Sequence, residues 1–199
     1  MAGDVRRSAD RFTTTRPGSV TRHSFSFGAH YDPANISFGP VVAVNDERLA
    51  PGAGFDEHSH AGLVLVTYVV SGSLAHEGIA SSTVSAGQVA VLRAGTGVLH
   101  SERNLGETEL RFLQTWISCL EDSVSYEVFD VEELATVATV RDTRVLVGTL
   151  RAGATVELSG HLTVVSGHVD ELAEGDSLRA SRPVVLTAGT DAVLVAVTW

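Results

Sequence analysis

Short apolar runs rich in β-branched residues recur along most of the chain. Each run is bounded by Gly, Pro, Asp, Asn or Ser, which is the pattern of β-strands separated by turns. Many short strands at this spacing predict an all-β protein of the sandwich or barrel type. The clearest runs are 41–44, 63–70, 89–92, 110–117, 145–150, 155–158, 162–165, 184–186 and 192–197.

Helix signals are weak. The segment 130–139 favours one short helix, because Asp130 and Glu133 have the spacing of a capping box.

The two halves of the chain share turn patterns. A Val-Ser-Gly sequence ends at Gly72 and again at Gly167, and a later turn contains Gly87 and then Gly175. This similarity predicts two related β-barrels, residues 22–130 and residues 131–199, after a lead-in of residues 1–21. The second barrel is expected to be degenerate, because the histidines of the first have no counterparts in it.

The formal net charge of −10 argues against direct binding of nucleic acid, which requires basic patches. The arginines near the start of the chain are interpreted as a solvated, poorly ordered tail. These are Arg6, Arg7, Arg11 and Arg16.

Cys119 is the single cysteine and lies in an apolar run, so we expect a packed core thiol and no internal disulfide. A chain with a single cysteine and no internal disulfide fits a reducing cytoplasm. No apolar segment is long enough to span a bilayer, and no signal peptide is evident, so we expect a cytoplasmic protein with no membrane contact.

Two pairs of potential metal ligands have the same spacing. His58 and His60 are two residues apart, as are His100 and Glu102. In an extended chain such residues point to the same face, so two adjacent strands could bring three imidazoles and one carboxylate around a common point. This ligand set suits Fe, Mn, Co, Ni, Cu or Zn and is wrong for Ca, which prefers oxygen ligands.

The surrounding spacing resembles the two motifs of the cupin superfamily. Five residues separate Gly52 from His58-Ser59-His60, and Gly72 follows, which matches most of the first motif. The second motif is matched by Gly87, Arg93-Ala94-Gly95, His100 and Asn104, with two extra residues before the histidine.

One departure indicates the branch of the superfamily. The usual cupin glutamate would fall at Val64 or Leu65, and the carboxylate appears instead as Glu102. This arrangement resembles the pirin family, whose bicupin members include bacterial quercetin 2,3-dioxygenases. The resemblance is dense over residues 22–130 and continues only as a faded second cupin.

The resemblance implies a metal-binding N-terminal barrel of the double-stranded β-helix, or jelly-roll, type. It implies one divalent transition metal per chain, iron being the first expectation, with Ni, Mn, Co, Cu or Zn as alternatives. The implied ligands are His58, His60, His100 and Glu102. The implied activity is dioxygenation of a flavonol (quercetin-like) or related enolisable aromatic with O2, and Glu102 is the candidate general base.

Two alternatives stay open. The family usually carries Arg and Glu at the positions of Ala61 and Val64, so the entrance to the site is expected to be more apolar than in its better-known members. Their loss favours a non-catalytic, metal-binding regulatory module with a protein partner. A metal-free ligand-binding β-barrel requires both motifs to be accidental.

The remaining polar and aromatic candidates are interpreted as structural. His76 and Glu77 are expected to face solvent or to be hydrogen-bonded, and Asn104 to order the loop after Glu102. The others are His23, His30, His161 and His168, and the core aromatics Phe112 and Trp116.

Overall fold

The computed structural model describes residues 3–199 and confirms the all-β prediction. These residues form strands joined by turns, with one short 3-10 helix at Ser8–Asp10. The strands, in chain order, are β1 (Asp4–Arg6), β2 (Phe12–Arg16), β3 (Ser19–His23), β4 (Val41–Leu49), β5 (Gly54–His60), β6 (Leu63–Ser71), β7 (Ser73–Glu77), β8 (Ser82–Ser85), β9 (Gln88–Ala94), β10 (Val98–Arg103), β11 (Leu110–Ser118), β12 (Val124–Asp130), β13 (Ala135–Val140), β14 (Thr143–Leu150), β15 (Thr155–Ser166), β16 (Ser177–Thr187) and β17 (Ala192–Thr198).

The chain divides into two compact units. One comprises Phe12–Asp130, and the other comprises Val131–Trp199 together with the N-terminal residues up to Arg11. The first unit contains a seven-stranded sheet, ordered β12-β9-β6-β11-β4-β3-β2, and a four-stranded sheet, ordered β5-β10-β7-β8. The second unit contains a six-stranded sheet, ordered β1-β16-β15-β17-β14-β13.

The two sheets of the first unit share one apolar core. Phe112 and Val69 from the seven-stranded sheet pack in one cluster with Leu74 and Val84 from the four-stranded sheet. Side chains of this size each stabilise the fold by about 1.5–3 kcal/mol when fully buried. Packing of the four-stranded sheet on the larger one therefore fixes the strands that carry the histidine motifs.

In the second unit the longest strand joins two predicted runs. The segments 155–158 and 162–165 both lie in β15, whose pairing with β16 shifts register between Leu158 and Gly160. An apolar core including Leu162, Leu178 and Leu194 lies against this sheet.

The turn similarity noted in the sequence recurs in the backbone. Gly72 follows β6 with φ 79°, and Gly167 follows β15 with φ 82°. A side chain is strained at such positive φ values, and an added Cβ would meet backbone atoms at 3.0 Å and 2.4 Å respectively. Each turn therefore needs glycine at this point.

The helix predicted at 130–139 is wrong. Asp130 ends β12, Glu133 forms an isolated bridge with Thr149, and Ala135–Val140 forms β13. Thr136, Val137 and Thr139 are β-branched, and pairing of this segment with β14 outweighs the capping signal.

The interpretation of the N-terminal arginines as a poorly ordered tail is also wrong. β1 pairs with β16, and the Arg7 guanidinium donates to the Asp176 carboxylate at 2.7 Å and to the Glu171 carbonyl at 2.8 Å. β2 then pairs with β3, so strands begin well inside the predicted lead-in of residues 1–21. Residues 1 and 2 of that lead-in lie outside the described residues.

Candidate metal centre

Three histidines from adjacent strands converge in the first unit. β5 and β10 are antiparallel neighbours, with His100 directly opposite His58 and Val98 opposite His60. One side-chain nitrogen from each of His58, His60 and His100 lies within 4.8 Å of the others. We call these three residues the imidazole triad; residues 3–199 contain no other such group of three or more His, Cys, Asp or Glu.

Strand alternation directs the triad inward. His58 and His60 lie on one face of β5, whereas Glu57 and Ser59 on the other face are exposed. Because β5 carries polar residues on both faces, its sequence lacks the apolar alternation by which strands are usually recognised. A register shift between His100 and Glu102 places Phe55 opposite Glu102.

Two members of the triad, His60 and His100, have the protonation state that a metal ligand needs. Burial and the neighbouring His58 lower the pKa of His60 to about 4. Burial and the neighbouring His58, His60 and His76 lower the pKa of His100 to about 3. Both imidazoles are therefore neutral at pH 7 and carry a lone pair.

The free nitrogens of the triad fit a transition metal. In the described part of the chain, His60 Nε2 and both ring nitrogens of His100 are buried without a hydrogen-bond partner. His58 Nδ1 donates to the Asp56 carbonyl at 2.7 Å, which leaves its Nε2 as the lone-pair atom. Metal-ligating histidines commonly donate their second nitrogen to such a carbonyl, so the donor set suits a divalent transition metal.

Glu102 lies beside the triad but is not part of the 4.8 Å group found among residues 3–199. It is 4% exposed, and its carboxylate accepts hydrogen bonds from Gln114 Nε2 at 2.9 and 3.2 Å. Burial raises the pKa of Glu102 to about 7, although the Gln114 donor opposes the shift.

Gln114 and Trp116 are site residues that the sequence analysis did not identify, since Trp116 was assigned to the core. Trp116 Nε1 donates to Gln114 Oε1 at 2.6 Å, and the Trp116 ring lies 4.8 Å from that of His60. The signal in β11 was weak, because the strand also carries the polar residues Arg111 and Thr115 beside Gln114. Its partner could not be read from the sequence.

His76 is buried and hydrogen-bonded, which was one of the two arrangements expected for it. Its Nδ1 donates to the Ala80 carbonyl at 3.0 Å, and its ring stacks on Tyr126 at 4.0 Å. His76 also lies 5.1 Å from His100 and lines a cavity of about 10 Å³ with Glu102. This cavity is about the size of one water molecule, so His76 belongs to the interior of the site. Glu77 is exposed and accepts a hydrogen bond from Ser81.

Several structural interpretations are confirmed. The Asn104 amide donates to the Leu49 and Thr108 carbonyls and accepts from the Gly106 N–H, which orders the loop after Glu102. Cys119 is buried, as is Phe112.

The other histidines lie outside the triad. His23 and His30 both hydrogen-bond to Thr14, His161 is buried in the second unit, and His168 is exposed there.

The expectation that Val64 borders the site entrance is wrong. Leu65 lines the cavity beside Glu102, so its neighbour on β6 points to the opposite face of the sheet. Val64 is 1% exposed there, whereas Ala61 is exposed directly after His60.

Comparison with known proteins identifies the family. The family model described as Pirin matches residues 5–117. A Mycobacterium tuberculosis protein provisionally named quercetin 2,3-dioxygenase is 36% identical over an alignment 208 residues long. The alignment covers 88% of this chain and 85% of the relative. A pirin-like protein of Caulobacter vibrioides is 31% identical over 212 residues, covering 88% and 90%.

Solved structures establish the same fold. The bacterial pirin YhhW of Escherichia coli, solved in complex with nickel(II), matches with a TM-score of 0.88 at 23% identity over 98% of both chains. A quercetin 2,3-dioxygenase of Acinetobacter baumannii matches with a TM-score of 0.74 at 19% identity, covering 98% of this chain and 85% of the other.

Within residues 3–199, no helix has the length and apolar character needed to cross a membrane. The resemblance of the histidine motifs to the pirin family is confirmed by the family model, by the relatives and by the all-β fold that the solved structures share. This chain belongs to the pirin family and has a bicupin fold.

Proposed function

We propose that this chain binds one divalent transition metal through His58, His60, His100 and Glu102. We further propose that it catalyses O2-dependent cleavage of a flavonol-like or other enolisable aromatic compound. The observation that carries the proposal is the convergence of three imidazoles, in which buried nitrogens of His60 and His100 have no hydrogen-bond partner in the described residues. The nickel(II) complex of the Escherichia coli pirin and the name of the Mycobacterium tuberculosis relative support it.

The ligand assignment gives Glu102 two tasks. A divalent metal held by the triad would supply a Lewis acid with open coordination positions for a substrate. Glu102 is the carboxylate nearest in sequence to the triad ligand His100, and it is buried beside that residue. One carboxylate can bind a cation and, after shifting away, accept the proton of a substrate hydroxyl.

The surroundings of Glu102 suit a general base at neutral pH. In the absence of metal, burial raises the pKa of its carboxyl to about 7, so a carboxylate that has shifted away from the metal can take up a proton near neutral pH. The Gln114 amide donates to both carboxylate oxygens, so the negative charge is stabilised while no proton is bound. The substrate proton would be taken by one of these two oxygens.

The aromatic surface beside the triad favours a flat substrate. The Trp116 ring contacts His60 and lies edge-to-face with Phe27 at 5.2 Å. Aromatic rings prefer such offset or edge-to-face contacts with other rings.

A dioxygenase places both atoms of O2 in its product, so this reaction needs no external reductant.

The test is oxygen uptake by metal-loaded protein with a panel of flavonols and catechols. We expect consumption of O2 with at least one flavonol, and its collapse in Glu102→Gln while the metal stays bound. The amide of the variant still offers an oxygen to the metal but cannot accept the proton. Absence of oxygen uptake across the panel would contradict the enzyme proposal, and a metal-dependent regulatory module with a protein partner would replace it.

Metal analysis of protein purified without added metal tests the cofactor. Iron is the first expectation, and nickel the second in view of the Escherichia coli complex. The cytoplasmic location expected from the sequence stays a prediction.

A further inference from the structure

The hydrogen bond between Gln114 and Glu102 links the two sheets of the first unit. Gln114 lies on β11 in the seven-stranded sheet, opposite Thr67 on β6 and Asn45 on β4. Glu102 lies on β10 in the four-stranded sheet. Both side chains are at most 5% exposed, so the bond is shielded from water. A hydrogen bond to a charged group in such a place is stronger than a surface one.

Trp116 fixes which end of the Gln114 amide faces Glu102. An indole N–H can only donate, so the atom 2.6 Å from Trp116 Nε1 must be the amide oxygen. The amide nitrogen is then directed at the Glu102 carboxylate. Rotation of the amide by half a turn would bring oxygen against carboxylate and NH2 against the indole N–H. Both contacts would be repulsive.

The amide nitrogen has an acceptor for each of its hydrogens. Gln114 Nε2 lies 3.1 Å from Thr67 Oγ1 and 2.9 and 3.2 Å from the two oxygens of Glu102. One N–H therefore serves Thr67 and the other is shared by the carboxylate. Because both carboxylate oxygens point at the same nitrogen, the position and rotation of the carboxylate are set by the amide.

We propose that Gln114, oriented by Trp116, is a positioning residue that presents the Glu102 carboxylate to the metal. This inference rests on the proposed function, in which Glu102 is a ligand. Residues that hold metal ligands in place change metal affinity by about 10–100-fold when substituted. Hydrogen bonds connect Trp116 to Gln114 and Gln114 to Glu102. Substitutions of Trp116 and of Gln114 should therefore not have independent effects on metal affinity.

The test is a double-mutant cycle on nickel(II) affinity, measured by competition with a chelator. We expect Gln114→Leu to weaken nickel(II) binding by about 10–100-fold and Trp116→Phe to weaken it less. The double variant should bind no more weakly than Gln114→Leu alone, because the indole N–H acts through the amide and Trp116→Phe keeps an aromatic ring against His60. Cobalt(II) absorption spectra should shift in the same variants, which loss of packing at a distance would not cause.

The matched control is Phe27→Leu. Phe27 contacts the same indole by its ring and makes no hydrogen bond to Gln114, so this variant should leave nickel(II) affinity within about 2-fold of wild type. Its effect should add to that of Gln114→Leu. If Gln114→Leu fails to fold, Trp116→Phe carries the test, because it keeps an aromatic ring in place.

The outcomes separate this inference from the proposed function. If Glu102→Ala weakens nickel(II) binding and Gln114→Leu does not, the positioning role is wrong and the ligand assignment stands. Additive effects of Trp116→Phe and Gln114→Leu would also overturn the role proposed for Trp116. If Glu102→Ala itself leaves affinity unchanged, Glu102 is not a ligand and both proposals fail.

Discussion

His58 and His100 lie directly opposite each other on neighbouring antiparallel strands, and their ring centres are 4.4 Å apart. This relationship depends on the pairing register of β5 and β10. A slip of one residue would turn one strand's side chains to the other face of the sheet. The core beneath these strands therefore also specifies the geometry of the metal centre.

Removal of one imidazole is expected to empty the site. Metal content, measured by mass spectrometry of purified protein, should fall sharply for His58→Ala and for His100→Ala. Each variant leaves two imidazoles, which hold a divalent ion far less tightly than three with a carboxylate.

The control for these variants is His168→Ala. His168 is an exposed histidine of the second unit, so its removal should leave metal content unchanged. Equal losses in all three variants would indicate unfolding. Metal bound at His161 or His168 would contradict the prediction that only the first unit holds a metal.

Metal binding is expected to release a proton from Glu102 in mildly acidic solution. Burial raises the pKa of its carboxyl to about 7, so in the metal-free protein the Glu102 carboxyl is mostly protonated at pH 6 and mostly ionised at pH 8. A cation binds the ionised form, so nickel(II) should displace close to one proton at pH 6 and little at pH 8.

Titration calorimetry in buffers of different ionisation enthalpy measures this release. The informative quantity is the difference between wild type and Glu102→Gln at each pH, because the variant lacks the titrating carboxyl. Equal proton release by the two proteins at pH 6 would show that Glu102 does not bind the metal in its ionised form.

Stability of the metal-free protein is expected to fall as pH rises because of Glu47. Burial raises the pKa of this carboxyl to about 8 from an ordinary value of 4.5, although a hydrogen bond from Thr21 opposes the shift. Between pH 4.5 and 8 the folded state keeps the proton that the unfolded chain releases. The free energy of unfolding therefore decreases through this window, by up to about 1.4 kcal/mol per pH unit.

Glu47→Gln should remove the part of this dependence that Glu47 contributes, and the part that comes from the raised pKa of Glu102 should stay. Urea unfolding should show similar stabilities for wild type and variant near pH 4.5 and a more stable variant at pH 8, by a few kcal/mol. Glu127→Gln, at an exposed position of β12, is the control and should change neither value. Parallel pH profiles for wild type and Glu47→Gln would contradict the assignment.

Asp176 is expected to anchor the N-terminal residues to the second unit. Its carboxylate accepts from the Ser8 N–H at 2.8 Å, from Arg7 at 2.7 Å and from the Ala173 N–H at 3.2 Å. Asp176→Ala should lower the free energy of unfolding by about 1.5–3 kcal/mol and increase hydrogen exchange in β1. Asp191→Ala removes an exposed partner of Arg151 and should cost less. Equal costs would show that burial of Asp176 adds nothing.

The long strands could be predicted from the sequence because they are apolar on at least one face. β6 consists mostly of Val and Leu and β17 of Val and Ala, while β11 carries Leu, Phe, Trp and Ile, and all three were recognised. β5 and β10 are not among the apolar runs, because their inward positions carry His58, His60, His100 and Glu102, and only the spacing of these pairs predicted two adjacent strands. β1 was missed because it is a three-residue strand bearing Arg6, stabilised by pairing with distant residues.

The candidate site was predictable to the extent that its spacing is local. His58 and His60, and likewise His100 and Glu102, share a face because they are two residues apart. The contacts of Gln114 with Glu102 and of His76 with His100 depend on which strands face each other across the interior. That information lies in the sheet order and register, which no local pattern encodes.

The pairing of β1 with β16 has a consequence for the order of folding. Arg7 and Asp176 are 169 positions apart, so the segment that completes the six-stranded sheet leaves the ribosome long before its partner is synthesised. The first unit can fold before β1 has β16 to pair with. A chain shortened to begin at residue 12 would leave the backbone of Ser177, Leu178 and Arg179 without the β1 ladder. An uncovered strand edge pairs readily with another chain, so such a protein would retain its metal ligands and gain a tendency to self-associate.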